Sequence, residues 1–310
     1  MQYMTREERM IKLEKMVNTR DLGGYETQGA SYSKSHKYIR ASSPSNATNQ
    51  DIQDLIEYGV EVVIDLRGDF EKTHQVNPFK NVEGIDFYEV DIFQNATSAV
   101  VPKEVTQYQN LGGFYIYMLE AMKSEFKKVF DIFVKYPYEC ILFHCSAGKD
   151  RTGVISALLL DLVGCHEYDI VKDYSESYEN NKEINEALKA MTNIEEAKEY
   201  LKSSPRYMME LLDYLREHYG SAKGYLLDIG MNYDDIEEWT CKNNEGKANC
   251  VMFKLNDGEV IYKDTFQFGK AFAELNKLMP AKESMAIKKE RQRKVQMKFK
   301  FRLPKFFNKK

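Results

Sequence analysis

Apolar runs with the spacing of β-strands alternate along this chain with stretches that have the spacing of amphipathic helices. The strand-like runs are 37–40, 60–65, 86–91 and 140–143. The helix-like stretches are 50–58, 112–134 and a segment that begins at Thr152. Strands that alternate with helices are typical of an α/β fold, in which a central, mostly parallel sheet is flanked by helices. We therefore predict this architecture for the first part of the chain.

After this alternating part, residues 166–219 have helical spacing without strand-like runs. The helical segments are 183–191, 194–201 and 207–218. We assign them to a helical insertion within a first domain that covers residues 1–240.

Residues 241–310 have a different pattern and predict a small C-terminal extension. The strand-like runs 251–255 and 259–262 flank Asn256-Asp257-Gly258. An Asp-Gly pair between two such runs indicates a β-hairpin with a tight turn. A short helix is predicted at 268–278.

The end of this extension is strongly basic. Residues 281–310 contain 12 Lys and Arg against 2 Asp and Glu, a net charge of +10, and the rest of the chain holds 32 basic and 46 acidic residues. Apolar residues alternate with polar ones at 295–303, which predicts a further strand on the hairpin. Cations mixed with phenylalanines in 288–310 are equally typical of a segment that binds an anionic membrane surface. Nucleic-acid binding is the weakest interpretation, because basic charge alone is not selective, and we expect no nucleic-acid partner.

The composition indicates a folded protein of a reducing compartment. Of 310 residues, 43% are hydrophobic and 13% aromatic, which is enough for a packed core. The five cysteines have no spacing typical of a metal site or a disulfide framework. The N-terminal segment lacks the apolar stretch of a secretory signal, and no apolar run reaches membrane-spanning length. We expect a cytoplasmic protein, peripheral at the membrane if 288–310 binds lipid.

One loop contains the clearest candidates for catalytic residues. It follows the 140–143 strand, precedes the helix that begins at Thr152, and has Cys145 and Arg151 separated by five residues. Such a loop can wrap its backbone N–H groups around a tetrahedral dianion, and the following helix points its positive end at the same place. The Arg151 guanidinium matches two phosphate oxygens at once. The same field favours the thiolate form of Cys145, which is the attacking species.

The residues of this loop resemble the signature of the cysteine-dependent phosphatases, in which His-Cys is followed by five residues and an arginine. The version here is His144-Cys145-x-x-Gly148-Lys149-Asp150-Arg151-Thr152-Gly153. It is similar to the atypical bacterial tyrosine and phosphoinositide phosphatases of the LipA-like group. Further segments that are similar to this group are 18–24, 64–67 with Glu71, 219–221 and 224–226.

The resemblance implies hydrolysis of phosphotyrosine, and also of phosphoinositides, through a phosphocysteine intermediate without a metal or other cofactor. It makes Cys145 the nucleophile and Arg151 the phosphate clamp. The Thr152 hydroxyl would stabilise the departing thiolate, and His144 would hold the surroundings of the thiolate by hydrogen bonds. The phosphate-binding residues would be Ser146, Ala147, Gly148, Lys149, Asp150 and Arg151.

Two further features are implied by the resemblance alone. Members of the group that act on phosphoinositides tend to share Lys149, a second cation that favours substrates with more than one phosphate. Members also use the helical region at 166–219 as a lid over the site. This sequence is equally compatible with a packed helical layer at 166–219.

The resemblance leaves the general acid open. Tyrosine phosphatases of higher organisms take it from a Trp-Pro-Asp loop, but the only tryptophan here is Trp239, and neither neighbour is proline. Asp150 is the first candidate, because the group has an aspartate at this position. Asp65 and Asp91 are alternatives, since each ends a strand-like run, where open α/β sheets gather functional groups. Capping of the next turn or helix explains these two equally well.

Four charged residues outside the loop have two interpretations. Arg20, Asp21, Arg67 and Glu71 form either a charged collar around the phosphate pocket or buried ion pairs that brace the loops. For Arg67 and Glu71, which are four residues apart, we favour an ion pair across one helical turn. Gly23-Gly24 indicates a turn with positive φ.

Two other classes of function stay open. A catalytically silent module would keep the phosphate cradle without a working acid, and the presence of both Cys145 and Arg151 argues against it. A sulfurtransferase uses a similar loop, but it would not need Lys149, Asp150 and Thr152 together.

Overall fold

The computed structural model describes residues 3–29, 31–93, 110–191, 200–242, 244–245, 250–254, 260–264 and 300–301. The helices in these ranges are α1 (Arg6–Arg9), α2 (Asn49–Tyr58), α3 (Asp69–His74), α4 (Leu111–Ala121), α5 (Lys123–Lys135), α6 (Arg151–Leu162), α7 (Glu167–Asn180), α8 (Lys182–Met191), α9 (Pro205–Tyr219), α10 (Ala222–Asp228) and α11 (Tyr233–Lys242). The strands are β1 (Arg20–Asp21), β2 (Tyr32–Ser33), β3 (Tyr38–Ala41), β4 (Val60–Asp65), β5 (Asp86–Glu89), β6 (Cys140–His144), β7 (Asn244–Glu245), β8 (Cys250–Lys254), β9 (Val260–Asp264) and β10 (Lys300–Phe301).

Five of these strands form the central sheet, in the order β1-β3-β6-β4-β5. The pairs β3–β6, β6–β4 and β4–β5 are parallel, and β1 pairs antiparallel with β3 at one edge. Helices pack on both faces of this sheet. The predicted α/β fold with a mostly parallel sheet is therefore confirmed.

Alternate side chains of the two central strands pack into two separate cores. Ile64 of β4 and Phe143 of β6 lie in the larger core, with side chains from α4, α5, α6 and α9. Val63 and Leu142 lie in the smaller core, together with Leu55 of α2. Successive side chains of a strand point to opposite faces, so a strand that is buried on both faces is a continuous apolar run. This is the pattern that predicted both strands.

The predicted helices agree with the described ones except at one junction. The stretch 112–134 is two helices, α4 and α5, which meet at Met122. Met122 has φ −113° and ψ 29°, outside the helical region. Apolar residues keep the helical spacing across the junction, at Met118, Met122 and Phe126, so the hydrophobic period does not reveal it. Most of the helix predicted at 194–201 lies outside the described residues.

Two helices of the 166–219 region belong to the larger core. Ile170 and Tyr174 of α7 and Leu211 of α9 are almost completely buried there. α8 differs, since its Ile184 and Leu188 are 40% and 44% exposed. No helix among the described residues is both long enough and apolar enough to cross a membrane.

The C-terminal strands agree with the predicted hairpin. β8 and β9 pair antiparallel, and β10 pairs antiparallel with the other edge of β8, with Phe301 opposite Phe253. For residues 300–301 this pairing favours the strand interpretation of the basic tail. The Asp-Gly turn, the helix predicted at 268–278 and the rest of the tail lie outside the described residues.

Candidate active site

The predicted phosphate-binding loop lies at the carboxyl ends of the parallel strands. β6 ends at His144, α6 begins at Arg151, and the loop between them starts with Cys145. The chain that leaves β4 passes beside it, where Leu66 N donates to His144 O (2.9 Å). The carboxyl ends of the strands are the ligand-binding edge of an open α/β sheet, and the start of α6 adds backbone N–H groups there. The topology thus supports the predicted anion site.

Three consecutive carbonyl groups of the loop are held by donors outside it. The bonds are Ser43 N to Ser146 O (2.9 Å), Asn18 Nδ2 to Ala147 O (2.9 Å) and to Gly148 O (3.0 Å), Asn181 Nδ2 to Ala147 O (3.0 Å) and Arg40 Nη2 to Gly148 O (2.8 Å). In a trans peptide the C=O and the following N–H point in opposite directions, so the N–H groups that follow these carbonyls face into the loop. Within the described part of the chain, the N–H groups of 146–150 donate to no other protein group.

Glycine is required at position 148 of the loop. Gly148 has φ +63°, and a Cβ added to it would lie 2.3 Å from the Ala41 carbonyl oxygen at the end of β3. A side chain is disfavoured by the positive φ, and the close backbone approach leaves no room for one. Any larger residue would push the loop away from the sheet that supports it.

His144 connects the backbone of Cys145 to a buried polar cluster. Its Nδ1 lies 3.0 Å from Cys145 O, and its Nε2 lies 2.8 Å from Asn77 Nδ2. The Asn77 amide nitrogen can only donate, so Nε2 accepts and Nδ1 carries the proton. Burial lowers the pKa of His144, which favours this neutral form. The predicted hydrogen bond of His144 within the loop is thus present in the structure.

Cys145 and Thr152 are both buried, at the two ends of the loop. Cys145 is 2% exposed and Thr152 is fully buried. The Thr152 hydroxyl has no hydrogen-bond partner among the described residues, so the predicted contact with the Cys145 sulfur is not formed here. A buried hydroxyl without a partner is unfavourable. It is therefore available to a partner such as a thiolate.

A carboxylate of α3 holds the arginine of the loop. Arg151 Nη1 donates to Glu71 Oε2 (2.6 Å), and Nη2 donates to Oε1 (2.8 Å). Ser146 Oγ also donates to Oε1, and Gly68 N donates to Oε2 (3.0 Å). Burial alone would raise the pKa of Glu71, but the hydrogen bond and the charge of Arg151 outweigh it and lower this pKa to about 2. The guanidinium is thereby fixed in one orientation.

The predicted ion pair between Arg67 and Glu71 is wrong. α3 begins at Asp69, so Arg67 precedes the helix and does not share a helical face with Glu71. Arg67 Nη2 instead donates to Asp65 Oδ2 (2.7 Å), and Glu71 pairs with Arg151. Both pairs are largely buried. The four-residue spacing suggested a shared helical turn, but the helix begins two residues after Arg67.

Arg20 braces the loop through a shared carboxylate. Its Nε donates to Asp173 Oδ1 (2.8 Å), and Arg40, which also holds the Gly148 carbonyl, donates to Asp173 Oδ2. Burial alone would raise the pKa of Asp173, but Arg20 and Arg40 lower it to about 2. Arg20 is fully buried, which favours the bracing interpretation over a collar.

Asp21 anchors the adjacent turn. Its carboxylate accepts from Gly23 N (2.8 Å), from His36 N (2.7 Å) and from the Tyr58 hydroxyl (2.7 Å). Gly24 has φ +76°, so the predicted positive φ is found at the second glycine of the pair.

Both carboxylate oxygens of Asp65 accept hydrogen bonds. Its two oxygens accept from Arg67 N (3.0 Å), Arg67 Nε (2.9 Å), Arg67 Nη2 (2.7 Å) and Asn77 Nδ2 (3.0 Å). Burial alone would raise the pKa of Asp65, but the nearby His144 and Arg67 lower it strongly. A carboxyl with a strongly lowered pKa carries no proton at neutral pH. These contacts argue against Asp65 as the general acid.

Asp91 and Asp150 differ in what they bind. Asp91 Oδ1 accepts from Phe93 N (2.8 Å), so Asp91 caps the turn that follows β5. Asp150 has a side chain that is 29% exposed, and its Oδ1 accepts from the Tyr115 hydroxyl (2.5 Å). Asp150 is thus part of the loop and also reaches solvent.

Lys149 points its ammonium at backbone carbonyls. Its Nζ donates to Tyr200 O and to Lys202 O (3.1 Å), and it lies 3.4 Å from Asp150 Oδ1. The side chain is 6% exposed. In this arrangement its charge is directed at the 200–202 segment.

Sequence reasoning missed several residues that hold the loop: Asn18, Arg40, Asn77, Tyr115 and Asn181. A signal existed for one of them, since Asn18 lies in the 18–24 segment and has φ +55°, a conformation in which asparagine is enriched. The others are ordinary residue types in ordinary helical, strand or turn positions. Only the tertiary fold brings them to the loop.

Replacing Glu71 by glutamine should lower the free energy of unfolding by about 2 kcal/mol at neutral pH, after allowance for solvent screening. The variant leaves the buried charge of Arg151 without its counter-charge. The pKa of Glu71 is about 2, against 4.5 for the free side chain. A carboxylate whose pKa is lower in the folded than in the unfolded protein stabilises the fold. This stabilisation is complete above pH 4.5 and is lost as the pH falls towards 2. Urea unfolding at neutral and acidic pH should therefore show the difference shrinking in acid.

The matched control for this variant is Asp69→Asn on the same helix. Asp69 is 73% exposed and pairs with Lys72 at the surface, and such pairs contribute less than about 1 kcal/mol. Equal losses in the two variants would show that the Glu71–Arg151 pair does not brace the loop.

The sequence profile of the tyrosine phosphatase family matches residues 11–242. This chain belongs to the tyrosine phosphatase family. The match includes the loop at 144–153 and the three other segments on which the resemblance was based, so the predicted relationship is confirmed at the level of the family.

Known relatives agree with this assignment. A tyrosine-protein phosphatase of Nostoc commune is 28% identical over 212 residues, which are 65% of this chain and 72% of that protein. The triple specificity protein phosphatase PtpB of Mycobacterium tuberculosis is 32% identical over 108 residues, 30% of this chain and 39% of that protein. Among solved structures, TpbA of P. aeruginosa matches with a TM-score of 0.31 and 12% identity over 69% of this chain and 92% of that chain.

Proposed function

We propose that this chain hydrolyses phosphotyrosine through a phosphocysteine intermediate on Cys145. The observation that carries the proposal is the loop itself: the carbonyls of Ser146, Ala147 and Gly148 are held by outside donors, which leaves N–H groups for an anion between Cys145 and Arg151. Family membership supports the same reaction class.

In the first step the Cys145 thiolate attacks the phosphorus of the substrate. The S–P bond forms as the P–O bond to the tyrosine oxygen breaks, and this oxygen takes a proton from Asp150. The loop N–H groups and the Arg151 guanidinium stabilise the charge on the three other phosphoryl oxygens.

In the second step water attacks the phosphorus of the phosphocysteine. The Asp150 carboxylate, left ionised by the first step, takes a proton from the water. The S–P bond breaks and the thiolate returns, stabilised by a hydrogen bond from the Thr152 hydroxyl. Inorganic phosphate then leaves with the enzyme in its starting protonation state, so protons and electrons balance over the cycle.

Phosphate release from a phosphotyrosine peptide, measured with a chelator present, tests this function. We expect multiple turnovers, and rapid acid quenching during turnover should trap a phosphorylated protein. A chain that binds phosphate without turnover would be the silent binding module. Transfer of sulfur from thiosulfate to cyanide, without phosphate release, would identify a sulfurtransferase.

We propose phosphoinositides as a second substrate class. Lys149 donates to two neutral carbonyls, and a second phosphate beside the first would be a stronger acceptor, since hydrogen bonds between charged groups are about twice as strong as neutral ones. The relative from M. tuberculosis carries triple specificity in its name, which supports a range wider than one substrate class.

Changing the Lys and Arg residues of 288–310 to glutamine should weaken binding to anionic vesicles and lower activity on vesicle-borne phosphoinositide. Each cation near an anionic surface contributes about 1 kcal/mol, and salt should mimic the variant because screening acts over about 10 Å at 0.1 M. Glutamine keeps the apolar alternation of 295–303, so β10 retains its pattern. Vesicle co-sedimentation, with and without phosphatidylserine, measures the effect.

The control for the tail variant changes Lys80 and Lys128, two surface lysines that are 56% and 64% exposed, to glutamine. Both variants should keep full activity on a soluble aryl phosphate. Unchanged vesicle binding in the tail variant would refute the membrane role. Loss of the soluble activity would instead make the tail part of the catalytic fold.

A further inference from the structure

Two buried tyrosine hydroxyls form a chain that ends on the Asp150 carboxylate. The Tyr115 hydroxyl of α4 lies 2.5 Å from Asp150 Oδ1, and the Tyr174 hydroxyl of α7 lies 2.7 Å from the Tyr115 hydroxyl. Neither α4 nor α7 is part of the loop. The contact was not predictable from the sequence, in which Tyr115 is 35 residues before Asp150.

The direction of the hydrogen bonds follows from the chemistry of the groups. An ionised carboxylate can only accept, so Tyr115 donates its single proton to Asp150. Tyr174 must then donate to the Tyr115 oxygen. Burial, with the nearby Asp150 charge, raises the pKa of both phenols well above the ordinary value, which keeps both hydroxyls protonated.

The packing around this chain leaves Tyr115 little freedom. Tyr115 is fully buried, and its ring packs edge-on against Tyr174 with centroids 5.8 Å apart. The Tyr174 ring lies against Gly153, where an added Cβ would be 3.2 Å from Tyr174 Cδ2. Thus the tyrosine pair is held between α4, α6 and α7.

The two oxygens of Asp150 are consequently unequal. Oδ1 accepts from Tyr115 and lies 3.4 Å from Lys149 Nζ. In the described part of the chain, Oδ2 accepts no hydrogen bond. A proton on Asp150 is therefore favoured on Oδ2, because a proton on Oδ1 would compete with the donors that already point there.

We propose that Tyr115 is a positioning residue that fixes the Asp150 carboxyl and directs its proton to Oδ2, with Tyr174 holding Tyr115 in turn. The inference rests on the proposed function, in which Asp150 is the general acid. Tyr115 touches neither substrate nor nucleophile in this scheme. Its effect on the first step should appear only where the leaving group needs the proton of Asp150.

Tyr115→Phe tests this through the leaving group. On phenyl phosphate, whose leaving group needs a proton, kcat/KM should fall about tenfold, the scale of one lost hydrogen bond to a charged group. On 2,4-dinitrophenyl phosphate, whose leaving group departs without a proton, kcat/KM should stay within about twofold of the wild type. The comparison uses kcat/KM because this constant does not include hydrolysis of the phosphocysteine, in which Asp150 acts with either substrate. A second test adds Tyr115→Phe to Asp150→Asn, where it should cause no further loss on phenyl phosphate.

The control is Tyr225→Phe, which removes another buried hydroxyl, one that donates to Leu119 O (2.8 Å). It should lose stability without any dependence on the leaving group. If Tyr115→Phe does not fold, Tyr174→Phe tests the proposal instead. This variant should lose activity two- to threefold, the effect of roughly half a hydrogen bond, on phenyl phosphate alone.

Equal losses of Tyr115→Phe on both substrates, or no loss on either, would overturn the positioning role. So would a further loss in the Asp150→Asn background. Failure of the proposed function is distinguishable from these outcomes, because the wild type would then turn over neither aryl phosphate.

Discussion

Replacing Cys145 by serine should lower turnover by more than about a thousandfold, the scale of loss when a nucleophile is removed. The serine hydroxyl is not ionised at neutral pH, whereas the thiolate is the species that attacks phosphorus. Oxyanion binding should survive, because the outside donors to the loop carbonyls and the Glu71–Arg151 pair do not involve the sulfur.

Two measurements separate catalysis from binding in this variant. Steady-state kinetics on a phosphotyrosine peptide gives the loss of turnover, and calorimetric titration with tungstate gives the affinity for an oxyanion, which should change less than about tenfold, or 1.4 kcal/mol. Together they would show that Cys145 supplies chemistry and the rest of the loop supplies binding.

Cys140→Ser is the matched control, because Cys140 begins the strand β6 that leads to Cys145. Its thiol is buried, and burial raises its pKa, so it stays protonated and unreactive. This variant should keep its activity per folded molecule. Covalent catalysis through Cys145 would be wrong if Cys145→Ser kept more than about a thousandth of the wild-type rate.

Most of the fold could be predicted because the hydrophobic pattern reports burial directly. β6 and residues 62–64 of β4 are buried on both faces and appear as apolar runs, and α2 has a clear helical period. The break at Met122 could not be predicted, since apolar residues keep the helical spacing across it, at Met118, Met122 and Phe126. Hydrophobic periodicity shows which residues are buried, but it does not show the local backbone geometry.

The candidate site was predictable only where it is contiguous in sequence. Cys145, Gly148 and Arg151 are in one loop, so their spacing alone indicates an anion site. Glu71 was expected to pair with Arg67, and the structure pairs it with Arg151 because α3 starts after Arg67. Arg40 and the asparagines that hold the loop carbonyls come from distant segments. Apart from Asn18, which lies in the 18–24 segment, no local pattern marks them.

The choice among three aspartates illustrates the same limit. All three follow apolar strands or sit in the loop, and residue type cannot rank them. The contacts of the three residues do rank them. Asp65 is completely buried and accepts from four N–H groups of Arg67 and Asn77, and Asp91 caps the turn at Phe93. Asp150 is partly exposed and keeps one oxygen, Oδ2, without a hydrogen bond among the described residues.

Replacing Asp150 by asparagine should therefore lower kcat/KM on phenyl phosphate by about 10²–10⁴, the usual effect of losing a general acid. The loss should be much smaller on 2,4-dinitrophenyl phosphate, because its leaving group departs without a proton. Asparagine keeps the size of the side chain and can still accept from Tyr115, so the loop should stay in place. The measurement is the ratio of kcat/KM values for the two substrates, because kcat/KM does not include hydrolysis of the phosphocysteine, in which Asp150 acts with either substrate.

Asp91→Asn and Asp65→Asn are the matched comparisons, since each makes the same change at an alternative candidate. Asp91→Asn should leave the ratio of kcat/KM values unchanged. Asp65→Asn should lose stability, because Arg67 would keep a buried charge without its partner, and its folded fraction should keep the wild-type ratio. A near-normal rate of Asp150→Asn on phenyl phosphate, together with a changed ratio in one of the other two, would move the acid to that residue. The leaving group thus identifies the proton donor even where a variant also loses stability, because instability lowers both rates equally and leaves their ratio intact.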